Sequence, residues 1–190
     1  MKQNDVIKEI GQIRSLMERS SKFLSISGLS GLLIGLYALI GAFAGYYVTD
    51  DFVVYKLAGI AVCVLFVSLF TGLWMARRKA RKAGQSIWNS ASKSLLFAVG
   101  VPLLTGGLLS CILMLRGDYG LIASTLLIFY GLALCAGSTF TFKEIRWLGI
   151  FEIVLGLLAL CFPGYGLWFW AMGFGVLHII YGLIVHTRYE

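Results

Sequence analysis

The sequence predicts an all-α, polytopic membrane protein with six transmembrane helices, on three observations. First, 59% of its 190 residues are hydrophobic and 13% are charged. Soluble domains carry about 25% charged residues, so a water-soluble fold of this size could not hide the apolar excess and lipid must cover it. Second, six apolar runs meet or approach the roughly 20 residues needed to cross the hydrocarbon. Third, the Lys and Arg residues fall almost entirely between alternate runs, the pattern that orients membrane helices.

The predicted spans are 23–48, 53–76, 94–115, 121–142, 147–162 and 167–185, within a transmembrane domain over 23–190. The fifth, about 16 residues, covers roughly 24 Å and must stand nearly upright. The first run begins at Phe23 and is about 25 residues long, beyond the roughly 7–15 of a cleavable signal, so it reads as a retained span. Fourteen Lys and Arg residues lie in the N-terminal segment, the second and fourth connections and the tail. The other side holds Lys56 and Arg116, with Asp50, Asp51 and Asp118. This split predicts both termini in the cytoplasm. Tyr46, Tyr47, Phe52, Tyr55, Tyr165, Trp168, Phe169 and Trp170 flank the outer loops, and Trp88 and Trp147 lie near inner boundaries, as amphipathic rings do at headgroup depth.

Residues 1–22 form an amphipathic stretch. Val6, Ile10, Ile13 and Met17 recur at helical spacing. The reading is a helix lying on the inner leaflet, the alternative a docking element for a cytoplasmic partner. The run Arg77, Arg78, Lys79, Arg81 and Lys82 sits in the second connection, where it fixes topology and could attract anionic headgroups. Nucleic acid is not expected as a partner; the basic residues flank apolar runs.

The runs read as three consecutive hairpins with shared signatures. Odd helices carry Gly35-Leu36, Gly107-Leu108 and Gly156-Leu157, and even helices carry Gly72-Leu73, Gly131-Leu132 and Gly182-Leu183. In the last hairpin, residues 149–163 read Gly-Ile-Phe-Glu-Ile-Val-Leu-Gly-Leu-Leu-Ala-Leu-Cys-Phe-Pro, followed by a short loop and then Gly175 and Gly182. That segment resembles the repeat of the HdeD-like bacterial membrane proteins. The resemblance implies six helices in three hairpins in a bacterial cytoplasmic (inner) membrane, an envelope or acid-stress context, and no catalytic residues. It covers about 35 residues and fades over the first two hairpins, which lack the outer-loop proline.

Three features could carry function. Gly28, Gly31, Gly35, Ala38, Ala42 and Gly45 form a small-residue stripe on the first helix, which lets another helix, in this chain or a second copy, approach closely. Glu152 and His178 are the strongly polar side chains set well inside apolar runs, where such groups are costly and mark functional sites. Both lie roughly 19 Å from the outer turn of the last hairpin at 1.5 Å per residue. Each also shares a face with small residues, which predicts a Glu152–His178 pair with Tyr181 as a nearby hydroxyl partner. A structural interhelical bond and a proton- or solute-handling site both fit such a pair.

Cys63, Cys111, Cys135 and Cys161 are dispersed through apolar runs and read as packing residues; no metal site and no cofactor are expected. Gly28-Leu29-Ser30-Gly31 falls one residue short of a nucleophile motif, HExxH is absent, and no phosphate loop occurs. The expectation is a non-enzymatic membrane protein that acts by packing or partner binding. The alternative is a small-solute or proton-coupled transporter or channel using Glu152 and His178. A third helix broken at Pro102 would favour transport.

Overall fold

In a computed structural model, residues 27–49, 52–82, 88 and 90–189 are described. The predicted amphipathic helix over 1–22 and the start of the first span lie outside them. Among the described residues helices joined by short turns make up the chain, without strands. The helices are α1 (Gly28–Tyr46), α2 (Val53–Lys82), α3 (Ser90–Arg116), α4 (Ile122–Gly137), α5 (Glu144–Cys161) and α6 (Gly166–Tyr189). Short 3-10 turns at Tyr119–Leu121 and Ser138–Phe140 flank α4. Gly117 (φ 81°) and Gly164 (φ 96°) take left-handed backbone conformations that close α3 and the α5–α6 turn.

Five of these helices are long and apolar enough to cross a membrane, which makes the chain a multi-pass membrane protein by length and composition. The fifth helix, α5, is not among them: its 18 residues include Glu144, Arg146 and Glu152.

Several predicted boundaries move: the third and fifth spans start earlier, at Ser90 and Glu144, the sixth ends later, at Tyr189, and the ends of the second and fourth shift as well. The expected end of the second span at residue 76 is not a helix end: α2 continues for 30 residues to Lys82, about 45 Å. Arg77, Arg78, Lys79, Arg81 and Lys82 therefore belong to a helix and not to a connecting loop, because Ala, Arg and Lys are strong helix formers that carry the backbone past the last apolar turn. Arg78 lies over the Trp74 ring at 5.6 Å. The fourth span ends earlier than residue 142, at the 3-10 turn over Ser138–Phe140.

The third helix is not broken. Pro102 sits inside a continuous α3, and the Thr105 hydroxyl donates to Val101 O at 2.9 Å beside it. The interruption falls instead in α6, where Ala171–Leu177 forms a π-helical turn.

Pairing in space does not follow the hairpins. The helices adjoin in the order α2, α1, α6, α5, α4, α3, all antiparallel to their neighbours. The closest pairings, α4 with α5 and α1 with α6, each join helices from different hairpins, whereas α5 and α6 touch more lightly. Glycine explains the two close ones. A Cβ on Gly35 would lie 2.6 Å from Gly175 O, and one on Gly131 would lie 2.5 Å from Gly149 O. Backbones in direct contact leave no room for a side chain.

Candidate functional site

Glu152 and His178 face each other across the α5–α6 seam. His178 Nδ1 is 3.5 Å from Glu152 Oε1, with the two side chains 4% and 0% exposed. Neither Glu152 oxygen has a hydrogen-bond partner among the described residues. A buried charge without full pairing costs several kcal/mol, and such groups mark functional sites in membranes.

The local backbone makes the site possible. A Cβ on Gly173 would run into Glu152 Oε2 and come within 2.5 Å of Leu127 Cδ2. The glycine at position 173 is therefore the space in which the carboxyl group sits. Gly173 also lies in the π-helical turn, and its carbonyl accepts a hydrogen bond from His178 Nδ1 at 3.1 Å, five residues on. Turns of this kind recur at functional sites. A carbonyl only accepts, so Nδ1 carries a proton and Nε2 of the neutral ring is left as an acceptor.

The hydroxyl on Nε2 is not the expected one. Tyr130 Oη of α4 is 2.7 Å from His178 Nε2, and with the neutral ring it donates. Tyr130 and Phe174 also hold the imidazole by ring contacts, at 5.4 and 6.2 Å. Tyr181, expected beside the pair, instead turns away from it. Its ring packs at Gly31 of α1 and in a cluster with Phe142, Ile145, Leu148 and Val185. Its hydroxyl is buried with no hydrogen-bond partner among the described residues. Residues three apart share a helix face only to within about 60°, and Gly31 of α1 leaves a slot that takes the Tyr181 ring on the α1 side. Tyr130 carried a readable signal, a mid-run tyrosine whose hydroxyl needs a partner, but pattern along the chain does not say which helix faces which.

The stripe on α1 finds its neighbour in the same chain. Gly28, Gly31, Gly35, Ala38, Ala42 and Gly45 are all buried. A Cβ on Gly28 would meet the His186 backbone, one on Gly31 would lie 3.1 Å from Gly182 Cα, and one on Gly45 would lie 2.7 Å from Leu57 of α2.

At the end of the bundle that holds the start of α5, Arg188 Nη1 donates to Glu144 Oε1 at 2.9 Å and Tyr189 Oη donates to the same carboxylate. The cysteines are free: Cys63, Cys111 and Cys161 are exposed and Cys135 is half-buried. Among the described residues no group of three or more His, Cys, Asp or Glu side chains could hold a metal ion. No family model, curated protein or solved structure matches the chain, so the site is read from its own residues.

Proposed function

We propose that this is a non-enzymatic, six-span protein of a bacterial cytoplasmic membrane, with both termini in the cytoplasm. Its working element is the Tyr130–His178–Glu152 cluster, which takes up and gives off a proton as conditions change. The single observation that carries this reading is the Glu152 carboxyl. It is fully buried, lacks a hydrogen-bond partner among the described residues, and lies 3.5 Å from an imidazole. A carboxyl and an imidazole so placed titrate as a coupled pair. The resemblance of residues 149–182 to HdeD-like proteins supplies an envelope or acid-stress setting that suits such an element. The distribution of Lys and Arg supports the orientation, and α5 serves as the sixth span when it stands upright. Partners under this reading are the bilayer, with anionic headgroups at Arg77 to Lys82, and a cytoplasmic protein or second copy through residues 1–22.

The test is the thermal stability of the purified full chain and of Glu152→Gln in detergent, from pH 4 to 9. The wild type should show a pH-dependent stability that the variant lacks. A fall on acidification means a carboxylate stabilised by the imidazolium, and a fall as pH rises means a carboxyl buried as the acid; either slope supports the reading. Curves that run parallel, or coincide, would overturn it.

A second reading, transport of a small solute or of protons, is favoured by one observation. The π-helical turn over Ala171–Leu177 opens the α6 backbone next to His178. The unbroken α3 counts against a substrate site at Pro102.

A further inference from the structure

The two close interfaces are copies of each other. A Cβ on Gly35 would lie 2.7 Å from Ile179 Cγ1 and 2.9 Å from Ile179 N, and a Cβ on Gly131 would lie 2.7 Å from Ile153 Cγ1 and 2.9 Å from Ile153 N. Adding 96 to an α1 number and subtracting 26 from an α6 number converts the first set of contacts into the second. The rule holds elsewhere. Gly182 meets Leu32 N and Gly28 O, while Gly156 meets Ile128 N and Ser124 O. The outer helices follow: Gly41 faces Val64 Cγ2 of α2 at 2.7 Å, and Gly137 faces Val99 Cγ2 of α3 at 2.7 Å. The residues agree as well, since Gly175-Val-Leu-His-Ile-Ile-Tyr-Gly-Leu aligns with Gly149-Ile-Phe-Glu-Ile-Val-Leu-Gly-Leu.

The same conversion turns His178 into Glu152. The two buried polar residues are thus equivalent positions that meet each other, which places their contact on the axis relating the halves. Helices α1, α6, α5 and α4 alternate in direction, so α1 and its equivalent α4 run oppositely. The axis is therefore perpendicular to the helices, in the plane of the membrane that they cross. Inverted halves of this kind, with a polar site near their axis, are the architecture of alternating-access carriers.

We propose that α1, α2 and α6 form one half and α3, α4 and α5 the other, and that the halves rock about the Glu152–His178 contact to carry a proton across the membrane. This rests on the reading of the cluster as proton-exchanging. The cargo follows from packing: the Glu152 carboxyl fills the space that a Gly173 side chain would need, and a proton is the ion that needs no cavity. The seam between the halves suits the movement. Within each half glycine backbones touch. Across the seam the contacts include the Tyr130–His178 hydrogen bond, the Phe162–Phe169 ring pair at 6.3 Å and Ala123 against Gly166. Hydrogen bonds and ring contacts can be remade after a small shift, whereas interlocked backbones cannot slide.

The transfer balances. A proton reaching Nε2 through the Tyr130 hydroxyl leaves the ring doubly protonated. Nδ1 then gives its proton to the ionised Glu152, forming a neutral carboxyl and a neutral ring protonated on Nε2, which shifts back to its Nδ1–H form before the next proton enters. Glu152 releases that proton on the opposite side, and one positive charge has crossed. Among the described residues the titratable group facing the pair is Tyr130 from α4; Tyr181 of α6 turns away from the pair, on the side of Glu144.

The test uses the full chain in liposomes with an entrapped pH dye and an imposed potassium diffusion potential. Wild type should admit protons above the rate of protein-free vesicles, and Glu152→Gln, folded by its thermal transition, should lose that flux. A clamp tests the rocking. In a chain with its four native cysteines replaced by alanine, Ala123→Cys with Gly166→Cys joins the halves at one end of the seam. Oxidation should stop the flux and reduction restore it. The pair Val99→Cys with Gly137→Cys, within one half, should leave flux unchanged on oxidation. Absence of flux in folded wild type, or flux that survives the closed clamp, would overturn the carrier. If flux is absent while Glu152→Gln still removes the pH dependence of stability, the proton-exchanging cluster stands and the carrier alone falls. If stability shows no pH dependence to remove, both fall.

Discussion

Helices α1 and α2 follow one another in the chain and are treated very differently by the fold. The apolar core of α2 is the more hydrophobic of the two, yet 6% of it is buried in the bundle, against 44% for α1. In water the ranking would be reversed. In lipid, apolar side chains gain nothing by leaving the tails, and what draws a helix inward is close backbone packing at small residues. Helix α1 has Gly28, Gly31, Gly35 and Gly45 on its buried face. Helix α2 presents Leu65, Phe66, Leu69 and Phe70 outward.

The sharpest way to break this comparison is to put the same bulk on both kinds of helix. Gly182→Val drives a branched side chain into the Leu32 and Gly28 backbone and should cost about 3 kcal/mol or more. A Cβ on Gly107 has nothing within 4 Å among the described residues, so Gly107→Val should change stability by no more than about 0.5 kcal/mol. Reversible unfolding in mixed micelles checks both. Equal costs would remove glycine packing as the organising force.

A finer test compares the equivalent interfaces. Gly35→Ala and Gly131→Ala meet the same atoms at nearly the same distances. Each should cost about 1–3 kcal/mol, and the two should agree within about 0.5 kcal/mol. A large disagreement would show the relation between the halves to be geometric coincidence.

Smaller again is the contrast between two tyrosines. Tyr130→Phe removes the hydroxyl bound to His178 Nε2 and should cost about 1 kcal/mol. Tyr181→Phe removes a buried hydroxyl that has no hydrogen-bond partner among the described residues, so it should be neutral or mildly stabilising. The smallest effect belongs to Arg188→Ala. Its Glu144 partner is 14% exposed but Arg188 is 66% exposed, and loss of such a surface pair should cost about 0.5 kcal/mol. Thermal unfolding at low and high salt would show that cost shrinking as salt rises.

Much of the fold was legible in the residues because a bilayer permits few answers. Apolar run length, charge placement and the spacing of Gly and Ala on α1 depend on one helix at a time. So did the depth of Glu152 and His178, which counts residues from a shared turn. The pairing of helices was not legible, and the hairpin signatures pointed to neighbours in sequence where α6 prefers α1 and α5 prefers α4. The basic run from Arg77 was read as a connection because hydropathy ends there, although the backbone hydrogen bonds that define a helix do not.

The amino-acid order alone determined that the chain is an all-helical membrane protein, which faces of α1 are small, and that two polar side chains sit at matching depth. Only the tertiary structure decided that the α1 stripe serves α6 of the same chain and that α3 runs through Pro102 unbroken. It also decided that Tyr130 rather than Tyr181 meets His178. The physical reason is that each of these depends on which backbones approach each other, and such an approach is set by complementary shape between helices distant in sequence. Periodicity within a helix names the face that will be used and is silent on what will fill it.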